Sequence, residues 1–237
     1  NMIDAIEQSC DVYLYELAKR VGIKRIGEMA ARFGFGEAFN FGLPGENRGL
    51  IPTPAWKRKT FGQAWHAGET LITSIGQGFI LCTPLQLAVM TSRLVNGGRP
   101  VLPRLMKNER AEIQKRKSLQ LSPQHLHTVL KGMDKVVNGS QGTARKVVDQ
   151  SMKFQFGGKS GSVQVKRISL DERESGKLKN KDRPWRERDH AMFVAFAPLK
   201  SPRYVVSVVV EHGGGGSTMA APIARDILAE ALRVNQS

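Results

Sequence analysis

Phe156-Gly157-Gly158-Lys159-Ser160-Gly161-Ser162-Val163-Gln164-Val165 sets one lysine and two serines among three glycines. Phe154, Phe156, Val163 and Val165 alternate around the glycines, which predicts a strand. A lysine at the start of a strand can hold an anion, and glycines let a ligand backbone lie close to the protein backbone. The run Gly158-Lys159-Ser160 shares its last residues with a phosphate-binding loop. That loop needs a glycine at position 153, which is Lys153, and a helix afterwards. Both requirements fail. Read alone, Lys159-Ser160-Gly161 is equally an ordinary edge strand with a surface lysine.

Outward from this strand, the pattern is of strands towards the C-terminus and helices before it. His190 to Ala197 and Tyr204 to Glu211 read as two more strands, with Pro198 to Pro202 as the turn between them. Gly213 to Gly216 reads as a flexible turn. From Ser217, taken as N-cap, a helix is expected to about Arg233. Upstream, apolar residues at Ile3, Ile6, Cys10, Val12, Tyr13 and Leu17 predict a helix over 2–20. Within it Ser9-Cys10-Asp11 opens an amphipathic stretch. A second helix is expected over about 23–33, ending at Gly34. Gly34 to Pro54 reads as loop with short strands, and Gly62 to Gly78 as irregular and glycine-rich. Thr83-Pro84 and Ser122-Pro123 each signal a helix start, the first helix running to Asn96 and the second to Asn138. Helices followed by an antiparallel sheet and a last helix give an α+β class.

The chain has 237 residues, a formal net charge of +15 and two cysteines, Cys10 and Cys82. Its length suits one large domain or two small ones. No apolar run reaches the ~18 residues of a membrane span, and no leader pattern is visible. The start at Asn1-Met2 suggests a piece of a longer protein. Basic residues gather at Lys57-Arg58-Lys59, in the Arg104 to Lys117 stretch and in the Lys166 to Arg188 stretch. The last mixes in acids and reads as a charged loop. Aromatics do not interleave with these clusters as a base-stacking surface requires, so nucleic acid is not the partner expected. An anionic membrane surface, an anionic wall polymer or plain solvation would suit the charge. Two cysteines make no disulfide framework. The five histidines show no metal-ligand spacing with them, and His125 and His127 on a helix would point about 200° apart.

Several stretches together resemble the class B penicillin-binding proteins of the elongation type. They are Ser9-Cys10-Asp11-Val12-Tyr13-Leu14-Tyr15, Leu43-Pro44-Gly45-Glu46, Ile51-Pro52-Thr53-Pro54-Ala55-Trp56 and Ile75-Gly76-Gln77-Gly78. Thr83-Pro84-Leu85-Gln86-Leu87-Ala88, Gly142-Thr143-Ala144, Lys159-Ser160-Gly161 and His190 to Pro198 complete the likeness. The superfamily carries Ser-x-x-Lys, Ser-Asp-Asn and Lys-Thr-Gly motifs. The resemblance implies the penicillin-binding/β-lactamase-like transpeptidase fold, here incomplete on its N-terminal side, and the C-terminal part of a transpeptidase domain over 1–237. It implies cross-linking of peptidoglycan stem peptides through an acyl-serine.

By that resemblance Ser9 relays protons beside Asp11, and Lys159 brings positive charge to a substrate carboxylate. Ser160 and Ser162 bind that carboxylate next to Gly161, and the Ser162 N–H is one oxyanion donor. Asp11 stands where many relatives have Asn, and Ser162 where Thr is usual. No serine here has a lysine three residues on, so the nucleophile is expected upstream and this chain alone is expected to be inactive. No cofactor is required, although Cys10 stands where some relatives place one ligand of a structural zinc. The resemblance also implies β-lactam binding, a membrane glycosyltransferase and the elongation machinery as partners, and an inner-membrane anchor with this domain in the periplasm. Two rivals share the fold: a non-catalytic binder of wall peptide or protein, and a serine β-lactamase.

Overall fold

The computed structural model describes residues 1–106, 118–149, 151–166, 174 and 180–234. Most of the basic 104–117 run and most of the charged 166–188 loop therefore lie outside the described residues. The chain divides into two compact units. One comprises Asn1–Ala5 and Ser9–Leu130, the other Ile6–Gln8 and Lys131–Ser237.

The first unit is helical, and the last three residues of its first helix count with the second unit. Helix α1 (Met2–Gln8) and helix α2 (Asp11–Val21) replace the single helix expected over 2–20. The break falls at Ser9, whose φ of 53° lies in the left-handed region. A non-glycine residue there stops helical propagation. The Cys10 N–H turns back to the Ala5 carbonyl at 2.9 Å. Helix α3 (Ile23–Phe33) ends at Gly34 as expected, and that glycine takes a φ of 106°. Helix α4 (Pro54–Phe61) starts at a Thr53 cap, where the Thr53 hydroxyl accepts the Trp56 N–H at 3.1 Å.

Helix α5 (Ala67–Ser74) lies inside the passage expected to be irregular. Its sequence is poor in helix formers, but Glu69 reaches back to accept the His66 N–H at 2.7 Å. Glu69 also meets the buried Lys57 ammonium of α4 at 2.5 Å. Helix α6 (Pro84–Val95) carries the expected Thr83 cap, completed by Gln86. The loop 34–54 holds one isolated bridge, Leu50 to Leu81, in place of short strands. Helix α2 packs on α3 and α5, and α3 on α6.

The second unit contains the end of helix α7 (Pro123–Asn138), which the Ser122-Pro123 signal located correctly. It also contains strands β1 (Gly157–Val163), β2 (His190–Ala197) and β3 (Tyr204–Val210), and helix α8 (Ala221–Val234). The strands form an antiparallel sheet in the order β1-β2-β3. Lys159 pairs with Val194 and Ser160 with Phe193, while Phe193 pairs with Val208. Phe156, Phe193, Val136, Val137, Ala195, Ala224 and Leu228 are the centre of one apolar core.

Two expectations near α8 need correction. Residues Gly216–Ala220 form a π-helical turn before α8, and Gly215 precedes it, so Ser217 is inside the turn rather than capping it. The Thr218 hydroxyl donates to the Gly215 carbonyl at 3.0 Å. Nor are these glycines slack. A Cβ on Gly216 would lie 2.2 Å from the Met192 carbonyl oxygen and 2.4 Å from that of Gly161. Only a glycine lets the turn press on the β1–β2 ladder.

Candidate active site

Strand β1 is an edge of the sheet among the described residues. Its side chains alternate, so Ser160 and Ser162 share one face and Lys159 takes the other. Lys159 and Ser160 are half-buried and Ser162 is exposed. The Lys159 ammonium donates to the Ser160 carbonyl at 2.9 Å, which folds the charge back along its own strand.

The glycines of this motif serve different ends. A Cβ on Gly157 would come within 2.6 Å of the Phe196 ring, and one on Gly158 within 2.5 Å of the Phe193 ring. These two glycines admit core phenylalanines of β2, a packing reason that the ligand-approach reading did not contain. At Gly161 a Cβ would meet Met192 Cβ at 3.6 Å, an ordinary contact.

The site gains a residue that sequence reasoning left out of its candidate set. Thr143 Oγ1 lies 3.3 Å from Ser160 Oγ, close enough for either hydroxyl to donate. Thr143 follows Gly142 in the loop after α7. A Cβ on Gly142 would sit 2.4 Å from the carbonyl oxygens of Lys135 and Val136, so the loop needs glycine to fold over the helix end. The Ala144 N–H then donates to the Val136 carbonyl at 2.9 Å. The Gly142-Thr143-Ala144 likeness was the available signal, but only the fold brings Thr143 and Ser160 together.

Ser9, Cys10 and Asp11 are grouped in the first unit, at the break between α1 and α2. Ser9 is half-buried, and Cys10 and Asp11 are exposed. Asp11 is the first residue of α2, where the positive end of the helix dipole favours a carboxylate. Ser9 holds a strained backbone conformation, a feature that clusters at functional sites. Cys10 is the residue before α2 and its side chain makes no cap. Among the described residues no three His, Cys, Asp or Glu side chains group as a metal site. The ligand set for the zinc that the resemblance implies is not supplied by these residues alone, and no step below is routed through a metal. Among the same residues no helix is long and apolar enough to cross a membrane.

Residues 1–229 match the model of the penicillin binding protein transpeptidase domain. Peptidoglycan D,D-transpeptidase MrdA of Haemophilus influenzae is 38% identical over 232 residues, which are 94% of this chain and 35% of that protein. Penicillin-binding protein PBP2 of Pseudomonas aeruginosa, in a crystal structure with WCK 5153, has a TM-score of 0.83 and 39% identity over 97% of this chain and 48% of its own. PBP2 of Helicobacter pylori, in complex with MreC, has a TM-score of 0.80 and 32% identity, covering 94% of this chain and 38% of that one. The chain thus spans 34% to 37% of the length of the MrdA relatives it matches. The helices and antiparallel sheet are those of the penicillin-binding transpeptidase fold. The chain belongs to the penicillin-binding protein transpeptidase domain family.

Proposed function

We propose that this chain supplies substrate-binding and proton-relay residues of a peptidoglycan D,D-transpeptidase of cell elongation. The observation that carries this is the edge strand bearing Lys159, Ser160 and Ser162, with the Ser160 hydroxyl within reach of Thr143. An edge strand can accept an extended peptide as a further strand. Gly161, which the core does not require, leaves room for that backbone to approach. The Ser160 and Ser162 hydroxyls, on one face of the strand, receive the terminal carboxylate of a D-Ala-D-Ala stem peptide or of a β-lactam, and Lys159, whose ammonium turns from the other face to the Ser160 carbonyl, adds positive charge beside them. The Ser162 N–H serves as one oxyanion donor.

The serine nucleophile is not among these residues, for no serine here has a lysine three positions on. Its oxygen attacks the carbonyl of the penultimate D-alanine. The C–N bond breaks, and Ser9 passes the serine proton towards the departing amine. An amine of a neighbouring stem peptide then displaces the serine from the ester, which restores the hydroxyl. Asp11, at the first turn of α2, is assigned to hold Ser9's surroundings polar.

The whole protein is proposed to act in the periplasm, held by an inner-membrane anchor. A membrane glycosyltransferase and an MreC-type scaffold are the proposed partners. The MreC complex of the Helicobacter pylori relative supports the scaffold. Zinc bound in part by Cys10 is proposed as structural only, and a full-length Cys10→Ser protein with unchanged zinc content would remove it.

A fluorescent penicillin tests the catalytic reading. The full-length protein is expected to be labelled stoichiometrically, on a serine outside these 237 residues. A label mapped to a peptide of this chain overturns the assignment, and no label at all favours the non-catalytic binder.

A further inference from the structure

Glu7 is a buried acid to which the reaction above gives no role. It is 4% exposed. Its two carboxylate oxygens have separate partners. Oε2 lies 3.2 Å from Lys135 Nζ near the end of α7, and Oε1 accepts the Gln141 N–H at 3.1 Å. The Glu7 backbone carbonyl accepts the Thr143 N–H at 3.3 Å. One residue thus ties the last turn of α7 to the residues on both sides of Gly142.

The seat for this residue is built from glycine. A Cβ on Gly139 would lie 2.3 Å from Glu7 Oε1, and one on Gly132 would lie 2.7 Å from Ile6 Cβ. Larger residues at either place would push Ile6 and Glu7 out. Burying a carboxylate carries a desolvation cost that an apolar residue of the same size would not. The hydrogen bond from Gln141 and the ion pair to Lys135 compensate it only while the Gly139–Thr143 loop keeps this shape. That loop carries Thr143, and Thr143 Oγ1 is 3.3 Å from Ser160 Oγ.

We propose that Glu7 is a positioning residue for the reaction: it fixes the Gly139–Thr143 loop so that Thr143 orients the Ser160 hydroxyl towards the substrate carboxylate. The role rests on the transpeptidase reading. Glu7 touches no reacting atom and acts through Thr143 and Ser160. A purely architectural Glu7 would lower stability when removed, yet leave the folded protein's reaction with a β-lactam unchanged.

The test is a double-mutant cycle on the full-length protein, reading the rate constant for acylation by a fluorescent penicillin, corrected for the folded fraction. Glu7→Ala and Thr143→Val are each expected to slow acylation about tenfold, the worth of one positioned hydrogen bond. Together they should be no slower than either alone. Glu7→Gln keeps an acceptor for the Gln141 N–H and should stay within about threefold of wild type. Should Glu7→Ala fail to fold, Glu7→Leu, which fills the seat without an acceptor, takes its place in the cycle. An unchanged rate in the folded variant, or single effects that multiply, overturns the role and leaves the transpeptidase reading standing. A wild-type protein that penicillin does not label overturns both.

Discussion

The two units bury different kinds of side chain. In the second, the core is phenylalanine, valine, alanine and leucine, and Glu7 is the one charged or polar residue among the described buried ones. In the first, Lys57, Thr70, Thr73, Gln86, Thr91 and Arg93 are all buried. Gln86, Thr91 and Arg93 satisfy backbone, while Lys57 meets the Glu69 carboxylate and Thr70 accepts the Trp65 indole N–H. The Gln86 amide donates to the Glu37 and Arg48 carbonyls at 2.9 and 2.8 Å, and its oxygen accepts the Thr83 N–H at 3.0 Å. The Arg93 guanidinium donates to the Arg32 and Val101 carbonyls at 3.0 and 3.1 Å. A unit built on a sheet satisfies much of its backbone by strand pairing. A unit with long irregular passages must recruit side chains to do so. Both units bury apolar area, but the first adds buried polar side chains that pin its loops.

Replacing Gln86 by Leu sharpens that contrast most. Volume and helix propensity are nearly kept, while three hydrogen bonds to buried backbone are lost. The expected cost is about 3 kcal/mol, taking about 1 kcal/mol for each bond, read as a lower denaturant midpoint. A neutral result would break the comparison. In the second unit Gly158→Ala places a methyl against the Phe193 ring and the Val194 carbonyl. It should cost about 2 kcal/mol by overpacking, with hydrogen exchange rising first in β1 and β2.

The smallest effect is expected at Glu69. Burial pushes its carboxyl up, but the His66 N–H and the Lys57 ammonium outweigh this and hold it below the ordinary carboxylate range. A depressed carboxyl stabilises the fold fully above the ordinary carboxylate range. That contribution is lost as pH falls through the lower, folded value. Glu69→Gln should therefore flatten the acid limb of the stability profile and leave its slope above neutrality unchanged. A slope change confined to alkaline pH would contradict the pairing with Lys57.

The same contrast explains what the sequence could reveal. Strands β2 and β3 were legible as apolar runs bounded by turn residues, and β1 from the apolar residues that flank its glycines. Helices α6 and α7 were legible because Thr83-Pro84 and Ser122-Pro123 are local signals. Thr53-Pro54 is the same signal and starts α4, but the surrounding prolines masked it. Helix α5 was not legible, since Gly68, Thr70 and Thr73 disfavour it and Glu69 holds it through His66 and Lys57. The break at Ser9 was hidden because the apolar period runs on through both helices. Lys159, Ser160 and Ser162 stood out as a motif. Thr143 and Glu7 did not, for their meaning is a distance to Ser160 or to Gln141 that no local pattern encodes.

The central claim is that the Lys159 strand reads a carboxylate. It is tested most directly by acylation rate constants of the full-length protein with benzylpenicillin and with its methyl ester, in wild type and in Lys159→Ala. Lys159→Ala should slow benzylpenicillin about a hundredfold, the scale of one charge-assisted site contact, while the ester reacts at the same slow rate with both proteins. An equal slowing of acid and ester, or no slowing of either, would contradict the account.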